Sequence, residues 1–442
     1  MGILKPLFYK RVSNLNRYKL SLRLYQVLIL LLTPLLVLVF LLRSINHKEY
    51  RQRMRERFGW VSSNMQPGGI IVHAASVGEV IAIKPFVEGL LLRFPDQPIT
   101  VTTFTPTGSA QVVKSFQNRV QHCYLPLDIS FCVHLFYKLM RPQAMVLMET
   151  EIWPTIIQRC YKSNIPLLLI NARLSEKSLA HYQKLTWLIT PALNKFSAIM
   201  CQSQDNAEHF MRLGANSDKV SVSGNLKYDI DITDSLRDKI AELRQFVETK
   251  QRKVLVLGSS HQGEEDLALA AYRTLKERFN DLLLIIVPRH PERFDSVAQL
   301  VRKQQLNLVR RSESKPVTTD DDVWLIDSLG ELVACYAVSD ISIIAGSFSD
   351  VGGHNPLEAA LFAKPIVVGP NMANFKDMNQ KLVDGRGIIQ LDHNEELSNT
   401  LFNLLLDEQL ISDVGKNAEQ VILENQGATA QSIDTLARYM MR

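Results

Sequence analysis

Residues 282–293 read LLLIIVPRHPER, six apolar residues without interruption followed by a short proline-rich charged turn. A strand with one wet face alternates apolar and polar residues. A strand covered by helices on both faces has no polar side and reads as a continuous apolar run. Leu282–Val287 therefore predicts a buried parallel strand opening at its carboxyl end into Val287–Arg293.

The pattern repeats outward from there. Lys253–Leu257, Leu306–Arg310, Val323–Ile326, Ile341–Ala345, Pro365–Val368 and Gly387–Gln390 complete one series. Gly69–Ala74, Ile99–Thr103, Val120–Tyr124, Ala144–Met148, Pro166–Ile170, Ala198–Cys201 and Val220–Ser223 form an earlier one. Longer amphipathic stretches separate the runs, and a charged helical stretch, Asp234–Lys250, separates the series. Two series of βα units predict an α/β protein with two Rossmann-like domains, residues 48–228 and 252–442, joined by a linker over 229–251. Ligands in such sheets sit beyond the carboxyl ends of the strands, facing a cleft. Ser312–Asp322 reads as a polar surface loop.

The chain has 442 residues, 46% hydrophobic and 21% charged, a globular balance sized for two domains. Its net charge of +5 is unevenly spread. Residues 1–60 carry 12 Lys/Arg against two acids, and the rest carries 38 basic against 43 acidic residues. A basic N-terminus on an acidic body argues against nucleic acid as a partner. It favours anionic lipid headgroups, at about 1 kcal/mol per basic residue near the surface. Five cysteines without a CxxC pair suggest reduced, buried thiols and no metal site.

After the basic tail of residues 1–23, residues 24–42 read LYQVLILLLTPLLVLVFLL, 19 residues without a charge. At ~1.5 Å rise per residue they reach about 28 Å, the hydrocarbon thickness of a bilayer. The run exceeds a secretory signal and no small-residue cleavage site follows it, so it reads as a transmembrane or membrane-anchor helix separable from the folded core. Pro34 would kink it, and basic residues flank both ends.

Four stretches at strand ends carry chemistry. In HAASVGEV (His73–Val80), Ser76 and Glu79 match a capping box, while Gly78 would allow close backbone approach. The same Glu79, ionised at a helix N-terminus, could serve as general base for an alcohol. His73 reads as a satisfied strand-end histidine. In ETEIWP (Glu149–Pro154), two carboxylates either position hydroxyls or pair with Arg173 of NARLS (Asn171–Ser175). Arg289 of VPRHPER and the turn GSSHQGEE (Gly258–Glu265) together suggest a phosphate site. In AGSFSDVGGHNPLEAA (Ala345–Ala360), Gly352 and Gly353 would clear space for a ligand, Asn355 would cap a helix beginning at Pro356, and Glu358 would either complete the cap or accept ribose hydroxyls. That combination exceeds what a cap requires, which favours a binding role. No GxGxxG follows the first strand, and neither GxxxxGK[ST] nor HExxH occurs. DxD-like pairs at Asp229/Asp231 and Asp320/Asp322 fall in linker and loop.

With HAASVGE, ETEIWP, NARLS, GNLKYD, PRHPER and GSFSDVGGHNPLE in this order, the chain resembles the bacterial 3-deoxy-D-manno-oct-2-ulosonic acid (Kdo) transferases from about Arg51 onward. The resemblance implies a GT-B fold, an acceptor-binding first domain, a second domain binding CMP-Kdo, and lipid IVA as acceptor. It implies inversion with no metal and no cofactor beyond the donor, at the cytoplasmic face of the inner membrane. Glu79 matches the catalytic glutamate; Arg289, Asn355 and Glu358 match nucleotide-binding positions, and Ser259, His290, Gly346, Gly353 and Pro356 stand beside them as further candidates. The chain departs from the pattern by about twenty residues of basic tail before the apolar segment. Two rival readings are a GT-B transferase or epimerase using a UDP-sugar, and a membrane-tethered scaffold. Glycines and acids at so many strand ends speak against the scaffold.

Overall fold

A computed structural model describes residues 4–247 and 252–441. Residues 1–3 of the expected tail and 248–251 of the expected linker lie outside the described residues.

The first sheet contains β1 (Ile70–His73), β2 (Ile99–Thr103), β3 (Gln121–Tyr124), β4 (Ala144–Met148), β5 (Leu167–Ala172), β6 (Ala198–Cys201) and β7 (Val220–Val222). The second contains β8 (Lys253–Ser260), β9 (Leu282–Pro288), β10 (Leu308–Arg310), β11 (Val323–Leu325), β12 (Ile341–Ile344), β13 (Ile366–Val368) and β14 (Ile388–Gln390). Each apolar run singled out in the sequence forms one of these strands. The orders are β3-β2-β1-β4-β5-β6-β7 and β10-β11-β9-β8-β12-β13-β14, and neighbours pair in parallel. Side chains of β1 enter both flanking cores: Ile71 lies with Phe136 and Leu169, and Ile70 and Val72 lie with Phe86 and Val146. Burial on both faces is what removes the polar alternation, and each such side chain contributes about 1.5–3 kcal/mol.

Each sheet has a switch point where successive strands go to opposite sides of a central one: between β1 and β4 in the first, between β8 and β12 in the second. Ligand sites in doubly wound sheets form there.

The chain divides into two compact units, residues 1–229 with 426–442, and residues 230–425. The expectation that the second domain runs to residue 442 is corrected. Asp229 accepts hydrogen bonds from the Gly427 and Thr429 amides at 2.7 and 2.6 Å, fixing the start of the helix Ala428–Met440. Gly89 lets that helix approach; a Cβ there would lie 2.3 Å from Ile433 Cδ1. Tyr439 anchors the far end through its hydroxyl to the Ser197 carbonyl, 2.7 Å away. Within the expected linker, Asp234–Val247 is a helix of the second unit, so most of the linker is structured.

The N-terminal segment is one helix, Leu4–Asn46, with Pro34 inside it, rather than a tail followed by an anchor. Its stretch Tyr18–Ile45 is long and apolar enough to cross a membrane. One side packs on the first unit. Tyr18 and Leu22 meet Leu188, the Tyr25 hydroxyl donates to Asp128 at 2.9 Å, and Phe40 lies under the Arg57 guanidinium, 4.5 Å from ring centroid to Cζ. The other sides are bare, with Leu31 72% and Ile45 74% exposed. The helix is therefore not separable at no cost. All five cysteines are buried free thiols.

Candidate active site

In the first unit the chain leaves β1 and turns at Ala75 and Ser76 into the helix Val77–Ala82. The Ser76 hydroxyl accepts from the Glu79 amide at 3.4 Å and donates to Glu79 Oε1 at 2.9 Å, while the Ala75 amide donates to Oε2 at 2.9 Å. This is a capping box whose carboxylate takes the Ala75 amide in place of the Ser76 amide. Burial pushes the half-buried Glu79 carboxyl above its ordinary pKa, the Ala75 and Ser76 hydrogen bonds oppose this, and the charges of Glu149 and Glu151 add to the rise. Gly78 needs no close approach, since nothing lies within 4 Å of a Cβ placed there.

Glu149 and Glu151 leave β4, on the other side of the switch point. Glu149 holds a left-handed φ of +56°, and burial pushes its carboxyl up against the pull of Lys227 and Arg173. Glu151 accepts from the Trp153 indole at 2.6 Å and lies 3.6 Å from His73 Nε2. His73 is less satisfied than expected: Nδ1 reaches the Thr102 carbonyl and hydroxyl at 3.1 and 3.0 Å, but the buried Nε2 has no hydrogen-bond partner. Lys227, unremarked in the sequence, exerts its pull on Glu149 from a segment held by Asn171, which takes the Leu226 amide at 3.0 Å and fastens GNLKYD to NARLS. No local signal marks it, because the tether spans 55 residues.

In the second unit Glu264 organises the site. It is 3% exposed; Oε2 accepts from the His261 and Gly346 amides at 3.0 and 2.9 Å, and Oε1 accepts from the Phe348 amide at 3.2 Å. It thus ties the loop after β8 to the loop after β12. The turn GSSHQGEE, read as an opening toward an external anion, is held by the protein's own carboxylate. Glu265 pairs with Arg293 at 2.7 Å, which leaves Arg289 as the exposed arginine of VPRHPER.

The Arg289 amide bonds the Ser260 carbonyl at 3.1 Å, and the preceding Ser259 is buried with a φ of +59°. Burial raises the Glu358 carboxyl, with Asn355 and the Arg289 charge pulling it back down. His354 stacks on His261 with Nε2 atoms 2.8 Å apart, and the exposed His290 ring stands 5.5 Å from His261. Burial and the nearby Arg289 charge bring the His354 pKa down to about 4. Gly346 accepts the Gly353 amide at 2.7 Å, and its own Cβ would meet the His354 ring at 2.9 Å. Ser259, Arg289, His290, Gly346, Gly353, Asn355, Pro356 and Glu358 therefore gather beyond the carboxyl ends of β8, β9 and β12. His261 and His354 join them, and both stood inside stretches already singled out.

Two local expectations are corrected here. Gly352 and Gly353 leave room for Asn374 and Met372 Sδ, 2.8 and 2.4 Å from their Cβ positions, instead of clearing space for a ligand. The helix begins at Leu357 with Pro356 at its cap, one residue later than expected. Asn355 still bonds both ways, taking the Leu357 amide at 3.2 Å and giving its own amide to Glu358 at 3.3 Å. The helix Leu357–Ala360 is a single turn, too short for an aligned macrodipole, so only its local N–H groups could serve an anion.

Residues 52–230 match the family model of 3-deoxy-D-manno-octulosonic-acid transferase (Kdo transferase). The 3-deoxy-D-manno-octulosonic acid transferase of Haemophilus influenzae is 37% identical over 95% of this chain and 98% of its own length. That of Rickettsia bellii is 30% identical over 87% and 90%. Among solved structures, UDP-GlcNAc 2-epimerase from Neisseria meningitidis bound to UDP-GlcNAc covers 84% of this chain and all of its own, with a TM-score of 0.54 at 15% identity, a likeness of fold alone. Two Rossmann-like units with polar clusters at their switch points make a GT-B fold, and the curated relatives make its class a glycosyltransferase. The chain belongs to the Kdo transferase family.

Proposed function

We propose that this Kdo transferase takes the sugar from CMP-Kdo and attaches it to lipid IVA, inverting the anomeric carbon without a metal, at the cytoplasmic face of the inner membrane. The observation that carries the reading is Glu79: a half-buried carboxylate at a switch point, its pKa raised by burial and by two neighbouring acids. A base is most effective when its pKa approaches the working pH. The acceptor hydroxyl gives its proton to Glu79 while its oxygen bonds the anomeric carbon. The bond from that carbon to the phosphate oxygen breaks, and the electron pair leaves with CMP. Arg289, exposed and with no hydrogen bond from its guanidinium among the described residues, meets the charge growing on the phosphate. Asn355 and Glu358 are the groups for the ribose hydroxyls.

One phosphate carries less charge than the diphosphate of most sugar donors, so a cationic side chain supplies what a divalent ion otherwise would. The N-terminal helix, bare on its outer sides, keeps the enzyme with its lipid acceptor. Purified protein given CMP-Kdo and lipid IVA in excess chelator should form Kdo-linked lipid. No product with this pair, alongside tight binding of UDP and none of CMP, would return the reading to a UDP-sugar enzyme.

A further inference from the structure

A polar cavity of about 440 Å³ lies in the first unit between the N-terminal helix and the helices Ser130–Met140 and Pro154–Lys162. Lys19 and Arg23 line it from one side, Arg159 and Lys162 from the other. Among the described residues, none of these four side chains has an ion pair or a hydrogen bond. Three polar atoms of the lining, Tyr18 Oη, Gln158 Oε1 and Arg159 Nε, are buried without a partner. The nearby carboxylate, Asp128, is already engaged by the Tyr25 hydroxyl and the Thr155 and Ile156 amides, each at 2.9 Å. Burial pushes its carboxyl up to about 7, so it offers less than a full counter-charge.

Four like charges around a cavity with unmet donors and an unmet acceptor need an anion that also presents hydroxyl or oxygen groups. A phosphate ester has that chemistry. The cavity sits at residues 18–26, where the basic part of the helix gives way to the bare apolar run, with Val27 and Leu28 each 54% exposed. Headgroup chemistry beside acyl-chain chemistry is the layout of a lipid interface. We propose that this cavity binds the phosphate of one membrane phospholipid headgroup, its acyl chains running along the exposed apolar face of the helix. The site is distinct from Glu79 and from the nucleotide cluster, and it rests on the reading of the helix as membrane-associated.

The test uses the full chain in neutral detergent and native mass spectrometry. Phosphatidylglycerol should be retained at one copy, and a galactosyl diacylglycerol, which lacks phosphate, should not. The Arg159→Gln/Lys162→Gln double variant should weaken retention by about tenfold or more, as loss of charge-assisted bonds does. Lys177→Gln/Lys184→Gln, which removes two exposed charges elsewhere on the unit, should change it by less than about twofold. Equal losses in the two double variants, or equal retention of both lipids, overturns the proposal. Binding of inorganic phosphate without phosphatidylglycerol overturns the lipid assignment in favour of a free anion. Melting curves guard against misfolding; if Arg159→Gln/Lys162→Gln unfolds, Gln158→Leu carries the same comparison. Sedimentation of the unaltered chain with vesicles reads the membrane association separately, so failure of one does not pass for failure of the other.

Discussion

Ser76 and Glu79 hold each other from both directions: the serine hydroxyl donates to Oε1 at 2.9 Å and accepts the glutamate amide at 3.4 Å. The carboxylate that finishes a helix cap is the same one we propose takes the acceptor proton. The cap does not compete with the proposed base, because a carboxylate fixed by two donors keeps its free lone pairs at a fixed place.

Glu79→Gln separates the two roles. The amide oxygen can still cap, so melting should shift by no more than a cap's worth, about 0.5–2 kcal/mol. Transfer should fall by about 10²–10⁴-fold with the basic carboxylate gone. CMP affinity should hardly move. Steady-state transfer, CMP titration and a melting curve on this one variant read all three, and near-normal transfer would pass the role to Glu149 or Glu151.

The pH profile carries a sign. Glu79 is useful only when ionised, so transfer should fall as pH drops through its pKa, on a limb above the ordinary glutamate value of about 4.3. The Glu149 charge helps to raise that pKa. Glu149→Gln should therefore move the limb to lower pH. A limb that stays put or moves up would show that the two carboxylates are not coupled.

For the nucleotide, Arg289→Ala should weaken CMP binding by about 1.5–3 kcal/mol, the worth of a charge-assisted contact. Glu358→Gln should weaken it as well. If titration finds unchanged affinity and only a lower melting temperature, Glu358 serves Asn355 alone.

A chain beginning at Lys48 loses Phe40 from the Arg57 stack and leaves Asp128 without Tyr25. It should keep both sheets, melt at a lower temperature and act poorly on acceptor in vesicles. Phe40→Ala alone, at a position 7% exposed, should cost about 3 kcal/mol or more, and an unchanged melting curve would show that the helix adds nothing to the fold.

The strands could be read from the sequence because burial on both faces leaves a local mark, an unbroken apolar run such as Leu282–Val287. The polar turns after β1, β4, β8, β9 and β12 followed from those strands. What could not be read depends on distance along the chain. Glu264 becomes a junction only when β8 and β12 lie side by side and the Gly346 amide, 82 residues away, comes within reach. The room that Gly352 and Gly353 leave for Asn374 and Met372 is invisible until the loop closes on β13. Tyr25 reads as part of an apolar span, and its bond to Asp128, 103 residues on, has no sequence signature.

The return of residues 426–442 to the first unit has a consequence for biosynthesis. A ribosome makes the N-terminal helix and seven strands of that unit first, then the other unit, and the helix Ala428–Met440 after both. Until then the groove at Gly89 and the Asp229 carboxylate are uncovered, so the half bearing Glu79 is complete only once Ala428–Met440 has been made. A chain stopped at Asn425 should fold its second unit normally and be cut by protease in its first.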